Sequence, residues 1–293
     1  MKSEKIAFTG ADGNALIGDQ YGDTGKPVVL LLHGGGQTRH SWTPTAIRLA
    51  EDGWCAITLD QRGHGDSEWV ANGHYAHADF ARDVHEVCLQ LIERDGAKPV
   101  SVGASMGGMA SLAAEGKYPG ENLGALVLVD ITPRVNMDGV SKIRDFMVSK
   151  MKDGFASLDE AADAVQAYMP NRKRTRNLEG LKKNLRLHED GRYRWHWDPR
   201  FWEGPRTATT DRESLSATLT NAAKILSIPT LLVRGRESEL VEEEHVAEFL
   251  EMVPHAKYAD ISGAGHMVAG DRNDIFAGAV LEFLRELPNA PQS

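Results

Sequence analysis

Five short runs of apolar residues recur along the chain, and longer amphipathic stretches separate them. The runs lie at residues 28–32, 55–59, 100–102, 125–129 and 230–233. Their apolar residues are nearly continuous rather than alternating, which is typical of strands buried on both faces. Such strands belong to a parallel sheet that helices cover on both sides. The pattern therefore predicts an α/β protein.

The stretches between these runs carry apolar residues at helical spacing. Helices are predicted at about residues 42–52, 79–95, 106–118, 242–253 and 272–287, and a last strand at residues 256–261. Ahead of the first run, the apolar triplets Ile6–Phe8 and Ala15–Ile17 flank the turn sequence Asp12-Gly13-Asn14. This arrangement is a hairpin signal, so we expect the sheet to begin with an antiparallel pair.

The pattern changes between residues 134 and 220. No strand-like apolar run occurs there, and amphipathic stretches near residues 138–152, 158–169 and 175–187 alternate with polar turns. We interpret residues 134–220 as a helical cap inserted into one α/β core, which residues 1–133 and 221–293 form. The cap is basic, with 17 Lys and Arg against 13 Asp and Glu, although the chain has a net charge of −9. Solvated helix faces explain this distribution, and recruitment of an anionic substrate is the alternative.

The composition limits the classes of protein to consider. The chain has 293 residues, of which 41% are hydrophobic, and this suffices for a large core. No apolar stretch approaches the roughly 18 residues of a membrane-spanning helix, and no signal-like segment follows the charged start. The negative charge argues against a nucleic-acid partner. Cys55 and Cys88 fit neither a disulfide framework nor a metal site, so we expect free buried thiols, a cytoplasmic location and no membrane partner.

The sequence Gly103-Ala104-Ser105-Met106-Gly107 lies between the third apolar run and a predicted helix. A serine at a strand-to-helix turn adopts a cramped backbone conformation, and glycines two residues before and after it let neighbouring chains approach closely. Ser105 would then be a nucleophile. The N–H of Met106, at the start of the helix, would point toward negative charge that develops nearby. The five-residue pattern is weak evidence when taken alone, so its chemical partners must be identified.

A serine nucleophile needs a base that accepts its proton and returns it to the leaving group. His266 is the candidate. It lies after the last predicted strand, in the glycine-rich segment Ser262–Met267, and it follows the order serine, acid, histidine.

The segment His33-Gly34-Gly35-Gly36 follows the first buried run, and its backbone N–H groups can turn inward. We assign the oxyanion hole to the N–H groups of Gly35 and Met106. We expect His33 to brace the loop by hydrogen bonding. The charges and glycines of Asp60–Ser67 favour a self-paired turn over a catalytic centre.

These motifs resemble those of α/β-hydrolase-fold serine hydrolases with a cap domain. The resemblance runs from about Ile6 to Leu287 and rests on His33-Gly34, Asp60–Ser67, Gly103–Gly107 and Gly263–His266. It implies a mostly parallel, eight-stranded sheet flanked by helices, a Ser-Asp/Glu-His triad, and a cap over the nucleophile. It implies no cofactor and no metal. The related haloalkane dehalogenases and epoxide hydrolases attack with a carboxylate, so the serine at position 105 argues against both.

Two carboxylates are candidates for the acid that orients His266. In this family the acid usually follows the seventh strand, in a pattern resembling Gly-x-x-Asp-x-x-Val. Here Ser238 occupies the acid position and Glu239 is displaced by one residue. A serine cannot stabilise an imidazolium as a carboxylate does. Some members take the acid from the end of the sixth strand, where this chain has Asp130, and a rigid strand end can present a buried carboxylate. We favour Asp130, with Glu239 as the alternative.

The resemblance implies hydrolysis of a carboxylic ester through an acyl-enzyme, with a lactone, thioester, amide or C–C bond as variants, because one fold hosts many chemistries. The alternatives are a ligand-binding or receptor-like protein with little turnover and a cofactor-free haloperoxidase. The expected partner is a small acyl substrate, an anionic one included, and no oligomeric state is predicted. Candidate substrate-binding residues are Gly34, Trp42, Trp195, Trp197 and Met267.

The predicted cap offers two further hints about the substrate. Four aromatic residues lie close together, at Trp195, Trp197, Phe201 and Trp202. Packing of the cap onto the core explains most of them, and lining of an apolar pocket is the alternative. The basic run Arg172–Arg176 could attract an acidic substrate, and a solvated helix face is the simpler interpretation.

Overall fold

The computed structural model of the protein describes residues 1–169, 178–210, 212–271 and 273–291. The strands within these residues are β1 (Glu4–Thr9), β2 (Ala15–Tyr21), β3 (Val28–Leu32), β4 (Cys55–Leu59), β5 (Val100–Ala104), β6 (Ala125–Val129), β7 (Leu185–Leu187), β8 (Tyr193–Trp195), β9 (Thr230–Gly235) and β10 (Lys257–Ile261). The helices are α1 (Thr43–Glu51), α2 (His77–Asp95), α3 (Met106–Lys117), α4 (Met137–Ser149), α5 (Leu158–Tyr168), α6 (Leu178–Lys182), α7 (Arg200–Glu203), α8 (Arg212–Ile225), α9 (Glu243–Met252), α10 (Val268–Asp271) and α11 (Asn273–Arg285).

One central sheet contains eight strands in the spatial order β1-β2-β4-β3-β5-β6-β9-β10. β2 is antiparallel to both β1 and β4, and all other neighbouring pairs are parallel. Every residue of β3, β4 and β6 is buried, as expected for parallel strands with helices on both faces. The predicted fold class, the five buried strands and the antiparallel start of the sheet are confirmed.

Side chains alternate along the central strands, so the sheet separates two layers of hydrophobic core. Leu30 and Leu32 of β3 belong to the layer that contains apolar side chains of α2, α3, α8 and α9. Val29 and Leu31 belong to the layer formed with α1 and α11. The carboxyl ends of the parallel strands meet at one edge of this assembly, where polar groups from several loops can converge.

The five predicted core helices correspond to α1, α2, α3, α9 and α11, and each agrees within two residues at both ends. Their apolar stripes were readable because these helices pack one face against the sheet. Across the described ranges, no helix combines the length and the apolar character needed to cross a lipid bilayer.

The segment between β6 and β9, here called the cap segment, contains α4 to α8 and a separate antiparallel pair, β7 and β8. The cap predicted as helical therefore also contains a short strand pair beside its helices. The helix predicted at residues 175–187 ends at Lys182 and is followed by strand β7, and its first three residues lie outside the described ranges. The predicted boundary at residue 220 falls inside α8. This helix packs on α3, because a Cβ placed at Gly116 would lie 2.3 Å from the Cβ of Ala222.

The loop between β4 and α2 joins the cap segment to the core. The N–H of Gly65 donates to the carbonyl of His196, and the N–H of Asp198 donates to that of Gly63, both at 2.8 Å. The buried charges of the loop between β4 and α2 pair with other segments. Asp60 bonds to Arg39, and the fully buried Arg62 donates to both oxygens of Asp83 at 2.6 Å. Within the turn, the N–H of Asp66 donates to Oδ2 of Asp60 at 2.9 Å, so the turn is self-paired as expected, although its buried charges are also compensated from outside it.

Candidate active site

Ser105 is the single residue that turns the chain from β5 into α3. Its backbone has φ 46° and ψ −113°, a conformation that is costly for a residue with a Cβ. Hydrogen bonds hold the turn: the N–H of Ser105 donates to the carbonyl of Val129 at 3.1 Å, and the N–H of Met109 donates to the carbonyl of Ser105 at 2.9 Å. The neighbouring strand β6 and the first turn of α3 thus fix the direction of the Ser105 side chain.

The turn is possible because Gly103 has no side chain. A Cβ at Gly103 would lie 2.5 Å from the carbonyl carbon of Gly107 and 2.5 Å from the nitrogen of Gly108. These are backbone atoms that cannot move aside without displacing α3. The first glycine of the G-x-S-x-G pattern therefore permits the close approach of helix to strand that the sequence predicted.

Asp130 follows β6 directly, and its carboxylate is fully buried. Its Oδ2 lies 2.7 Å from Nδ1 of His266 and accepts a hydrogen bond of 2.6 Å from the hydroxyl of Ser238. Its Oδ1 accepts a hydrogen bond of 3.1 Å from the N–H of Gly235. These three contacts offset the cost of removing the carboxylate from water.

Glu239, the alternative acid, is bonded elsewhere. Its Oε1 accepts a hydrogen bond of 3.4 Å from the hydroxyl of Tyr168 in the cap segment. Burial raises the pKa of that hydroxyl well above its usual range, and the nearby charge of Glu239 adds to the effect. Of the two candidate acids, the structure thus brings Asp130 into contact with His266, and it links Glu239 to α5.

The loop that carries His266 is fastened to the end of β9. The N–H of Arg236 donates to the carbonyl of Ile261 at 3.0 Å, and the N–H of Glu237 donates to the carbonyl of Ala264 at 2.9 Å. A Cβ at Gly235 would lie 2.2 Å from the carbonyl oxygen of Gly265. This close backbone contact explains why the loop can hold the imidazole against a carboxylate on the next strand.

The glycine segment after β3 contains one N–H group that has no partner among the described residues. Gly34 donates its N–H to Oε1 of Gln37, and Gly36 donates its N–H to Nε2 of His64, both at 3.2 Å. Within the described parts of the chain, the N–H of Gly35 between them makes no hydrogen bond. Met106 lies close by, because a Cβ at Gly35 would be 3.9 Å from the Met106 sulfur. As the first residue of α3, Met106 also has an N–H with no acceptor within its helix.

Two buried histidines brace this glycine segment. Nε2 of His33 accepts the N–H of Gln61 at 3.0 Å, so Nδ1 carries the proton and donates to the carbonyl of Gly34 at 2.8 Å. Nδ1 of His64 likewise donates to the carbonyl of Arg62 at 3.0 Å. Burial lowers the pKa of His33 to about 4 and that of His64 to about 3, so both are neutral at pH 7. The geometry agrees with the bracing role expected for His33.

A cavity of about 820 Å³ lies between the sheet edge and the cap segment. Ser105, His266, Gly35 and Met106 line it together. All five candidate substrate-binding residues also line it, namely Gly34, Trp42, Trp195, Trp197 and Met267. Trp42 and Trp197 are almost completely buried, so they also pack the surrounding structure. The aromatic residues of the cap segment therefore both line the cavity and pack against the core.

The walls of the cavity are mostly apolar. Among the described lining residues, the side chains with a fixed charge are Arg134, Glu244 and Glu248. Arg134 and Glu248 form an exposed ion pair with a distance of 3.1 Å. The basic run Arg172–Arg176 lies outside the described residues. The part of the site that the structure describes thus offers no unpaired cation to a negatively charged substrate.

Sequence reasoning missed several contributors to this site. Ser238 was noted only as a missing carboxylate, although a hydroxyl can still donate to a carboxylate from a neighbouring strand. The bracing role of His64 was also missed, because its partner, Gly36, is distant in sequence. Phe146 and Tyr168 line the cavity with stacked rings whose centroids are 4.3 Å apart. Their positions on the apolar faces of α4 and α5 were the available signal.

The neutral histidines predict how stability depends on pH. Their pKa values are below the ordinary 6.5, so the unfolded chain binds more protons and stability is lost as the pH falls below 6.5. When the pH falls from 7 to 5, we expect the free energy of unfolding to decrease by about 2 kcal/mol for each of the two histidines. Urea unfolding at both pH values checks this, with His64→Gln as the comparison. The decrease in the free energy of unfolding from pH 7 to pH 5 should be smaller in His64→Gln than in the wild type by about 2 kcal/mol. An identical decrease in both proteins would contradict the role of His64.

Comparison with known proteins identifies the family. A family model described as the α/β hydrolase fold matches residues 27–272. The chain is 29% identical over 251 residues to the esterase Rv0045c of Mycobacterium tuberculosis. This match covers 84% of this chain and 78% of the relative. It is 27% identical over 258 residues to the 2-(acetamidomethylene)succinate hydrolase of Mesorhizobium japonicum, with 88% of each chain covered.

The fold is also shared with a solved structure. The crystal structure of an E-2-(acetamidomethylene)succinate hydrolase matches this chain with a TM-score of 0.81 at 22% identity, over 96% of this chain and 99% of that one. Because the family model spans most of the chain, the protein belongs to the α/β-hydrolase family.

Proposed function

We propose that the protein is a serine hydrolase that cleaves carboxylic esters through an acyl-enzyme. Ser105 is the nucleophile, His266 the general base and Asp130 the acid that orients the imidazole. The observation that carries this proposal is the buried carboxylate of Asp130, 2.7 Å from Nδ1 of His266, beside a serine at a strained turn in the same cavity. Strained backbone and a buried carboxylate–histidine contact are features that functional sites concentrate. Esterases and other hydrolases among the relatives agree with this class of reaction.

The mechanism follows from the side of the imidazole that Asp130 occupies. Because Nδ1–H of His266 donates to Asp130, Nε2 is left unprotonated and can accept the hydroxyl proton of Ser105. The Ser105 oxygen then forms a bond to the ester carbonyl carbon. When the tetrahedral intermediate collapses, the C–O bond to the alcohol breaks and His266 returns the proton to the leaving oxygen. A water molecule repeats the sequence on the acyl-enzyme, which releases the carboxylic acid and restores Ser105.

The oxyanion of the tetrahedral intermediate would be stabilised by the N–H groups of Gly35 and Met106. Both N–H groups are available to the substrate. The N–H of Gly35 makes no hydrogen bond among the described residues, and the N–H of Met106 has no acceptor within its helix because Met106 is the first helical residue. Fixed amide donors of this type act where charge develops in the transition state, and they need no reorganisation during the reaction. The neutral His33 and His64 keep the donor-bearing segment in place.

The cavity supports an uncharged, apolar substrate. Its volume of about 820 Å³ is large for a short acyl group, and aromatic and aliphatic side chains of the cap segment form most of the wall. The described charges of the wall lie on Arg134, Glu244 and Glu248, and two of the three are negative. An anionic substrate would therefore lose hydration without gaining a free cation among the described lining residues.

The buried free thiols of Cys55 and Cys88 support a cytoplasmic location.

The nucleophile is tested by labelling with a fluorophosphonate probe. We expect the wild type to be labelled at one site and to hydrolyse p-nitrophenyl esters. Ser105→Ala should abolish labelling and lower kcat by about 10⁴-fold or more, because the remaining groups cannot form an acyl-enzyme. Ser111→Ala is the matched control, since Ser111 is a buried serine on the same helix. Labelling that persists in Ser105→Ala, or a folded wild type that neither labels nor turns over esters, would contradict the proposal. The second result would favour a binding protein.

The substrate preference is tested with a series of p-nitrophenyl esters of increasing chain length. From acetate to octanoate we expect kcat/KM to rise about threefold for each added methylene, because each is transferred from water to the apolar wall. Val165→Phe, which fills part of the cavity, should move the optimum to shorter chains and leave acetate hydrolysis unchanged. Leu187→Phe, on an exposed residue outside the cavity, is the control. A preference for the hemisuccinate ester over the butyrate ester would contradict the apolar assignment.

A further inference from the structure

The hydroxyl of Ser238 and the imidazole of His266 contact the same oxygen of Asp130. The two distances to Oδ2 are 2.6 Å and 2.7 Å. Ser238 comes from the loop after β9, whereas Asp130 follows the neighbouring strand β6. The N–H of Ser238 also donates to the carbonyl of Gly235 at 2.9 Å, which fixes the serine in the turn. The serine is thus held beside the carboxylate by its own backbone.

The hydrogen bonds around the Ser238 oxygen determine where its proton points. The oxygen accepts the N–H of Leu240 at 3.0 Å and the N–H of Val241 at 3.1 Å. A serine hydroxyl has two lone pairs and one proton. With both lone pairs engaged by backbone donors, the proton is directed toward Asp130. The hydroxyl of Ser238 therefore donates to the carboxylate of Asp130, and it cannot turn its proton elsewhere without breaking the two backbone hydrogen bonds that it accepts.

The carboxylate is held at both ends by this arrangement. Gly235 binds Oδ1 from its backbone, and Ser238 binds Oδ2 from its side chain. Asp130 itself has φ 52°, and among the described residues only Ser105 shares a positive φ without being glycine. A side chain that starts from such a constrained backbone and carries two fixed donors has little freedom to rotate away from the imidazole.

We propose that Ser238 is a positioning residue for the reaction. The inference rests on the proposed function, because it assigns Ser238 to the same Ser105–His266–Asp130 site. It adds that the hydroxyl holds Oδ2 of Asp130 toward Nδ1 of His266. It also explains the serine at the position where the family usually has its acid: the side chain at 238 already reaches the oxygen that faces the histidine.

The positioning role is tested with Ser238→Ala and Ser238→Thr. The alanine variant should lower kcat about tenfold and change KM less than twofold, because a carboxylate that rotates misplaces the base without altering the substrate cavity. The threonine variant keeps the hydroxyl and should recover most of the rate. Ser101→Ala is the matched control, since Ser101 is a buried, hydrogen-bonded serine of β5, and its kcat should stay unchanged. Wild-type kcat in Ser238→Ala, or equal losses in the alanine and threonine variants, would overturn the positioning role.

These outcomes separate the inference from the proposed function. If the wild type hydrolyses esters and loses this activity in Ser105→Ala, the serine hydrolase assignment stands whatever the Ser238 variants do. If the wild type does not react with the fluorophosphonate probe, the proposed function fails first. Thermal unfolding of each variant identifies rate losses that come from unfolding, and the threonine variant retains a polar group at position 238 if the alanine variant does not fold.

Discussion

The site depends on the buried carboxylate of Asp130, which contacts the end of β9, the loop after β9 and the loop that carries His266. Asp130 follows β6, which lies between the strand that leads to Ser105 and the strand that leads to Ser238. Burial of such a group is tolerable only with hydrogen-bond donors around it, and the donors come from β9 and from the His266 loop. The same contacts that compensate the charge therefore align the imidazole. Because parallel strands end at one edge, the sheet itself brings these groups together.

Backbone strain is concentrated at the same edge. Among the described residues, Ser105 and Asp130 are the two non-glycine residues with positive φ, and they follow the adjacent strands β5 and β6. Positive φ costs energy for residues with a Cβ and persists where the surroundings enforce it. Here the enforcing contacts are backbone hydrogen bonds: Ser105 donates to Val129, and Asp130 donates to Val233 at 2.7 Å. The apolar layers on both faces of the sheet hold these strands in register.

The sequence was informative where burial forces a simple pattern. The continuous apolar runs predicted the five buried strands, and the helical stripes predicted the core helices, because both reflect packing against one core. The cap segment was less predictable. Trp195 was interpreted as part of an aromatic packing cluster, and only the pairing of Tyr193–Trp195 with Leu185–Leu187 makes that segment a strand. Short strands carry too few residues for a pattern, and their partners decide their structure.

The candidate site was predictable to different degrees. The local pattern around Ser105 and the position of His266 could be read directly, because each lies in a recognisable strand-to-loop setting. The sequence favoured Asp130 over Glu239, but the contact itself could not be derived from spacing, since 136 residues separate Asp130 from His266 and only the folded sheet joins them. The contribution of Ser238 was hidden for a related reason. Its chemistry depends on the backbone donors of Leu240 and Val241, which orient a hydroxyl that the sequence shows only as the absence of an acid.

We propose that the carboxylate at the end of β6, and not the one after β9, orients His266. This is tested by comparing the steady-state kinetics of Asp130→Asn and Glu239→Gln on one p-nitrophenyl ester, with both variants shown to be folded. We expect kcat to fall by about 10³- to 10⁴-fold in Asp130→Asn, because the imidazole loses its orienting charge, and to change less than about twofold in Glu239→Gln. Unchanged turnover in Asp130→Asn together with a collapse in Glu239→Gln would contradict it.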